Sequence, residues 1–285
     1  MADAPVILTC ALSGALASRE QCPAIPYTPA EYAAETRRAV DEGAVMVHIH
    51  ARRPDGTPSF DVADFRAITA AIRDAVGEDV IVNYSTGAVG VPVAARLEYL
   101  RALRPEVGAL NMGSMNYAKY SARRREFVFS AVFENSFETI RELLDGMVSY
   151  GIRPEHECFD SGHVASLDPL LDMGVLRPPL SVSFVMGVVG GIRPTARNVA
   201  HMADQVPDVP HQWGVIGISR AQWGLLAAAL SLGGNVRVGL EDNFYLPTGE
   251  MARSNGELVA RAARMTADAG RRLATVSEAR TLLGL

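Results

Sequence analysis

The sequence is almost without lysine. Of its 27 basic residues, 26 are arginine and one, Lys119, is lysine. A Schiff-base aldolase, a pyridoxal phosphate enzyme and a P-loop nucleotide site each need a lysine in a defined place. Lys119 sits in Asn116-Tyr117-Ala118-Lys119-Tyr120-Ser121 with no G-x-x-x-x-G-K ahead of it, so these chemistries are excluded. Base composition of the genome is the ordinary reading of the arginine bias, and the exclusion holds whatever its origin. Cysteine is also scarce. The three, at positions 10, 22 and 158, form no C-x-x-C, which argues against a disulfide framework and for a reducing compartment. No apolar run approaches the ~18–20 residues of a membrane span. Met1-Ala2-Asp3-Ala4-Pro5 lacks the basic and apolar regions of a signal peptide. A formal net charge of −5 gives no basic footprint for nucleic acid. The expected setting is therefore cytoplasmic, with no nucleic-acid or membrane partner. The short run Arg123-Arg124-Arg125 reads as a solvated loop, with a contact to an acidic cofactor as the alternative.

What is present is a regular alternation. Short apolar, β-branched runs at residues 6–10, 45–51, 80–84, 108–111, 155–159, 180–186, 213–218 and 236–240 predict strands. Between them, residues 29–42, 62–76, 91–103, 136–150, 166–174, 195–205, 220–232 and 254–273 predict helices. Thr28-Pro29-Ala30-Glu31 carries a capping box with proline at the first helical position, and Ser254 with Glu257 opens the last helix in the same way. Eight strand–helix units predict an α/β fold, a single (β/α)8 TIM barrel spanning residues 1–285 as one domain. A doubly wound sheet fits less well, because the first strand runs into Ala11-Leu12-Ser13-Gly14-Ala15 rather than G-x-G-x-x-G. The longest connection, residues 112–135, is expected to hold one extra strand at 127–133 and to cover the barrel mouth or an oligomer contact.

In such a barrel the chemistry belongs at the C-terminal ends of the strands. The second strand ends with His48 and His50, which share a face at a spacing of two and begin a metal site if that face is the interior. The eighth ends with Arg237, Gly239 and Glu241 on one face, followed by Asp242. Glu241 reads either as a third metal ligand or as half of an internal salt bridge, and Gly239 as room for a ligand or a close side chain. Such a ligand set suits Zn²⁺, with another divalent first-row metal as the alternative. Asp242 is a candidate general base beside Arg237. Glu155 and Glu157 share a face of the fifth strand, and one of them is a second acid–base candidate or a rim salt bridge. Ser85, Thr86 and Gly87 end the third strand and can hold a carboxylate or merely form a turn. The glycine-rich stretch 187–191 is a candidate phosphate cradle or a tight turn. His163 reads as a helix-start residue, while Cys10 lacks a partner for nucleophilic work.

Taken together, these segments resemble the β-keto acid cleavage enzyme family. The likeness is carried by Pro26-Tyr27-Thr28-Pro29, Val47-His48-Ile49-His50, Asp55-Gly56-Thr57-Pro58-Ser59, Ser85-Thr86-Gly87, the run from Gly233 to Asn243, and Ser254-Asn255. The resemblance implies a zinc-dependent barrel assembled as an oligomer, often a tetramer. Acetyl-CoA is the implied co-substrate, converting a β-keto acid into acetoacetate and a new acyl-CoA. It implies His48, His50 and Glu241 as metal ligands, and Asp242, Arg237 and Glu157 as catalytic residues. The substrate-binding candidates are Ser85, Thr86, Gly87, Asn111 and Leu16. Leu16 stands where the aminohexanoate-cleaving members have a carboxylate, and Ala109 where they have a hydroxyl. The expected substrate therefore lacks an ammonium group. An anionic substrate engaging Arg19 or Arg52 is the weaker expectation.

Overall fold

The computed structural model describes residues 4–285. In chain order the elements are β1 (Leu8–Ala11), α1 (Pro29–Asp41), β2 (Met46–Ile49), α2 (Val62–Val76), β3 (Ile81–Ser85), α3 (Val93–Leu103), β4 (Val107–Asn111), β5 (Met115–Ser121), β6 (Glu126–Phe133) and α4 (Phe137–Tyr150). They continue with β7 (Arg153–Cys158), α5 (Ser161–Ala165), α6 (Leu167–Asp172), β8 (Leu180–Met186), α7 (Ala196–Ala203), β9 (His211–Gly217), α8 (Gln222–Leu232), β10 (Asn235–Val238), α9 (Asn255–Asp268) and α10 (Val276–Leu283). Strands β1, β2, β3, β4, β7, β8, β9 and β10 close into a parallel barrel, with Leu8 opposite Val236 and Cys10 opposite Val238 at the seam. This is the (β/α)8 barrel that the alternation predicts.

The strands are covered on both faces. Their outer residues, among them Leu8, Cys10, Val47, Ile49, Val82 and Tyr84, share one apolar core with the helix faces. Parallel strands buried this way read as continuous apolar runs. By alternation the inner face carries Thr9, His48, Asn83, Glu155, Glu157, Ser181, Ser183 and Arg237, all buried. Polar groups inside a barrel are costly unless they partner one another, so this face is where function is to be sought.

Local signals are realised unevenly. Thr28 and Glu31 form the full capping box. Ser254 accepts from the Glu257 amide, but the Glu257 carboxylate takes the Arg253 amide instead, at 2.8 Å. Helix α9 stops at Asp268, short of the expected residue 273, because Gly270 turns the chain at φ 72° and Leu273 bridges to Val6. Helix α10 was outside the expected set, although Thr275 and Glu278 form a second complete capping box. It packs Ala279 and Leu283 against Ile7, Met46, Ile81 and Val107, and so seals the barrel floor.

The long fourth connection holds two strands rather than one. Strands β5 and β6 pair antiparallel from Met115–Phe133 to Ser121–Glu126. Ala118 bridges to Val189 in the loop after β8, so the hairpin stands over the C-terminal face. Tyr117 and Phe133 turn inward, whereas Phe127, Val128 and Val132 are exposed.

His156 faces the outer layer, fully enclosed, and burial together with Arg153 lowers its pKa to about 4. The unfolded chain takes up this proton near pH ~6.5 and the folded chain only well below, so acid favours unfolding in between. The stability at stake is complete above about pH 6.5 and falls as the pH drops toward 4, by on the order of 3 kcal/mol. Thermal melts of His156→Phe should accordingly lose less stability than wild type across that window; parallel curves would refute the assignment.

Candidate active site

His48 lies on β2 and His50 just beyond it, and both rings turn into the mouth with centroids 5.2 Å apart. Glu241 Oε1 stands 3.7 Å from His48 Nε2 and 3.4 Å from His50 Nε2. Each residue offers one ligand atom, and these atoms lie within 4.8 Å of one another. Among the described residues, both ring nitrogens of His48 and the second oxygen of Glu241 are buried with no hydrogen-bond partner. Orphaned buried polar atoms are expensive, and a cation held among them relieves the cost. Two imidazoles and a carboxylate form a donor set that fits a divalent first-row ion. Burial, then Arg237, holds the His48 pKa well below the usual range, which leaves its imidazole neutral, the form that binds metals.

Arg237 organises the acids. Its Nε and Nη2 donate to Asp242 Oδ2 and Oδ1 at 3.0 and 3.1 Å. Nη2 also reaches Glu241 Oε1 at 2.8 Å, and Nη1 reaches Glu157 Oε1 at 3.2 Å. One guanidinium serves three carboxyl groups, and even with Glu157 protonated the two remaining carboxylates leave the cluster short of positive charge, a second reason why the mouth suits a dication. Burial pushes Asp242 up to about 6 against the pull of Arg237. Burial likewise pushes Glu157 up to about 8, again opposed by Arg237. Burial would also raise Glu241, but His50, Arg237 and His48 outweigh it and hold that carboxyl well below the usual range.

The backbone explains how neighbours in sequence converge. Strand β10 ends at Val238, and Gly239 takes φ 146°. A Cβ there would lie 2.0 Å from the Ala11 carbonyl oxygen, so the space beside Gly239 is filled by the β1 backbone rather than by a ligand or side chain. Past this point alternation ceases, and Glu241 and Asp242 both reach Arg237. Gly14, at φ 60°, lies against Glu241, whose Cγ a Cβ would approach to 2.7 Å.

Two supports of the site leave little local trace in the sequence. Asn255 donates to Leu12 O and Glu35 Oε2 at 3.2 and 3.0 Å, and accepts from the Leu240 amide at 2.9 Å. It thereby ties both seam strands to α1. The Tyr32 hydroxyl donates to the His50 carbonyl at 2.6 Å. Asn255 follows the helix-capping Ser254, which was its one local signal.

On the substrate side, the Gly87 amide donates to Ser85 Oγ at 3.1 Å. A Cβ at Gly87 would sit 3.4 Å from both Ser85 Oγ and Asn111 Nδ2, so the three residues are neighbours. The Thr86 hydroxyl donates to the Ala109 carbonyl at 2.5 Å and faces the wall between β3 and β4. Leu16 is 69% exposed. Arg52 spends its guanidinium on the carbonyls of Ser13, Gly14 and Gly56, and Arg19 on Glu31 and the Ile25 carbonyl. Cys10 is buried against Asn255. His163 lies in α5 and accepts from the Phe159 amide at 3.2 Å. Gly190 lets the Asn116 carbonyl of the hairpin approach, which accounts for part of the glycine-rich stretch by packing.

Fold and mouth together define a barrel enzyme with a metal-capable centre of imidazoles and carboxylates beside an arginine-held aspartate. The family model for the beta-keto acid cleavage enzyme matches residues 5–285, and the chain belongs to that family. It is 37% identical over 281 residues to the 3-keto-5-aminohexanoate cleavage enzyme of Fusobacterium nucleatum, covering 98% of both chains. It is 35% identical over 300 residues to the 3,5-dioxohexanoate:acetyl-CoA acetone transferase of Paraburkholderia graminis, covering 98% of this chain and 96% of the relative. The solved complex of ObcA with oxaloacetate shares the fold at a TM-score of 0.75 and 22% identity, over 92% of this chain and 68% of that one.

Proposed function

We propose that the protein is a zinc-dependent β-keto acid cleavage enzyme that converts a β-keto acid without an ammonium group, together with acetyl-CoA, into acetoacetate and a new acyl-CoA. The observation that carries this reading is Asp242, gripped by Arg237 beside the orphaned donors of His48 and Glu241. It is supported by the acetyl-CoA in the name of the Paraburkholderia relative. A zinc ion held by His48, His50 and Glu241 would supply Lewis-acid polarisation of the keto oxygen.

Asp242 takes the α-proton of the keto acid, with Arg237 fixing the orientation of both carboxylate oxygens. Ser85, Gly87 and Asn111 hold the substrate carboxylate, with Thr86 bracing the turn. The resulting carbanion attacks the thioester carbon of acetyl-CoA, and the CoA thiolate leaves. The thiolate then adds to the original keto carbon. Breaking the bond from that carbon to the α-carbon frees acyl-CoA and acetoacetate, and the proton on Asp242 returns to the released carbon. Glu157, on the far nitrogen of Arg237, is the second acid–base group. No lysine takes part at any stage.

Exposed Leu16 offers nothing to an ammonium group, and Arg19 and Arg52 are already engaged. These features support an uncharged tail. The three buried free thiols support a cytoplasmic setting, and the exposed Phe127, Val128 and Val132 support a homotetramer that uses the hairpin.

The deciding experiment incubates purified protein with a panel of β-keto acids, with and without acetyl-CoA, and reads acyl-CoA products by mass. 3-Ketohexanoate should turn over faster than 3-keto-5-aminohexanoate, and only with acetyl-CoA. Turnover without acetyl-CoA would mark a metal-dependent aldolase or hydrolase instead. Metal content measured on the same wild-type and Glu241→Ala preparations should fall in the variant.

A further inference from the structure

The barrel interior holds a polar chain that the reaction above leaves unused. Glu155 lies on β7, one inward position before Glu157, and is 3% exposed. Its Oε1 accepts from Ser183 Oγ at 2.5 Å, and its Oε2 accepts from the Asn83 side-chain amide. Asn83 thus faces this carboxyl group with its NH₂ end. The Asn83 carbonyl oxygen is thereby turned away, and among the described residues it is buried without a partner.

Asn83 is the direct register partner of His48 across β2 and β3, and both side chains point into the barrel. Nε2 of His48 is the nitrogen that faces Glu241. That leaves Nδ1, which is also buried and orphaned. A neutral imidazole has one donor and one acceptor nitrogen, and the orphan on Asn83 is an acceptor. On register-paired residues of adjacent strands, these two orphans are complementary, one an acceptor and the other able to donate.

We infer that Ser183, Glu155 and Asn83 form a positioning relay that holds the proton of His48 on Nδ1, so that the Nε2 lone pair is presented to the metal. This rests on the proposed metal site. The carboxylate at the far end fixes the amide orientation, and the amide fixes the tautomer. Partners of this kind set the ring angle and basicity of a ligating histidine, and losing one costs roughly 10–100-fold in metal affinity. Asn83 and Glu155 are positioning residues here, since they act through His48.

The test uses metal-stripped full-length protein with isotope-labelled histidine, in which long-range nitrogen–proton correlation spectra report the tautomer of each ring. The His48 signals are assigned by their loss in His48→Gln. Wild type should show the proton on Nδ1 of His48 before any metal is added, and a proton on Nε2 overturns the relay without need of a further variant. Asn83→Ala should lose this fixed tautomer and bind zinc roughly 10–100-fold more weakly in competition with a chromophoric chelator. An unchanged tautomer and affinity in that variant would equally overturn it. If wild type shows the expected tautomer but binds no zinc, the metal reading fails while the relay stands.

Discussion

Asp242→Asn should lower kcat by roughly 10²–10⁴-fold, the range that a positioned general base contributes. Asparagine has the same shape and can still accept one of the two hydrogen bonds from Arg237 that now reach Oδ1 and Oδ2. What it cannot do is take a proton. The loss should therefore fall on kcat, while bound metal and the KM for acetyl-CoA stay near wild type. Steady-state kinetics on the best keto acid of the panel, with metal analysis of the same preparation, check this. A kcat within tenfold of wild type would move the base elsewhere, with Glu157 next in line.

A larger structural effect is expected from Arg237→Met. The arginine is 5% exposed and touches Asp242, Glu241 and Glu157. Methionine would leave three carboxyl groups enclosed without their shared cation. Removing one partner of a buried ionic network costs about 3–5 kcal/mol. For a chain of this size that lowers Tm by roughly 10 °C in metal-free protein. Added zinc should recover part of the loss, because a dication held by His48, His50 and Glu241 would supply positive charge beside the acids that the guanidinium left. Activity should also fall, since Asp242 loses its orientation. Melts that differ by only a degree or two would show that the cluster carries little of the fold's stability.

Much of this was legible in the sequence, for physical reasons that differ from residue to residue. The eight barrel strands could be read because strands enclosed on both faces must be apolar along their length. His48 and His50 could be placed on one face because β2 remains extended up to Ile49. The same rule put Arg237 and Glu241 together for a partly mistaken reason, since the strand ends before Gly239 and it is the turn that delivers Glu241. Asp242 beside Arg237 could not follow from alternation at all. The Asn255–Glu35 clamp joins residues 220 positions apart, and such pairings have no local signature. The hairpin showed one strand because only residues 127–133 are strongly apolar, while β5 is polar at Asn116, Lys119 and Ser121. The Thr275–Glu278 box alone is too short a signal to predict α10, and a run of good helix formers conceals the stop of α9 at Gly270.

The hairpin and the scarcity of lysine meet at one point. Lys119 is exposed on β5, two residues beyond Tyr117, whose ring packs edge-on against Phe133 on the inner side of the hairpin. The protein thus carries its own labelling address. An amine-reactive dye has one side-chain target in the whole chain, and a lysine-specific protease has one peptide bond to cut, both on the hairpin over the barrel mouth. Fluorescence from that dye, or the rate of that single cut, reports whether the surroundings of the hairpin change when substrate is added, with no substitution made in the chain.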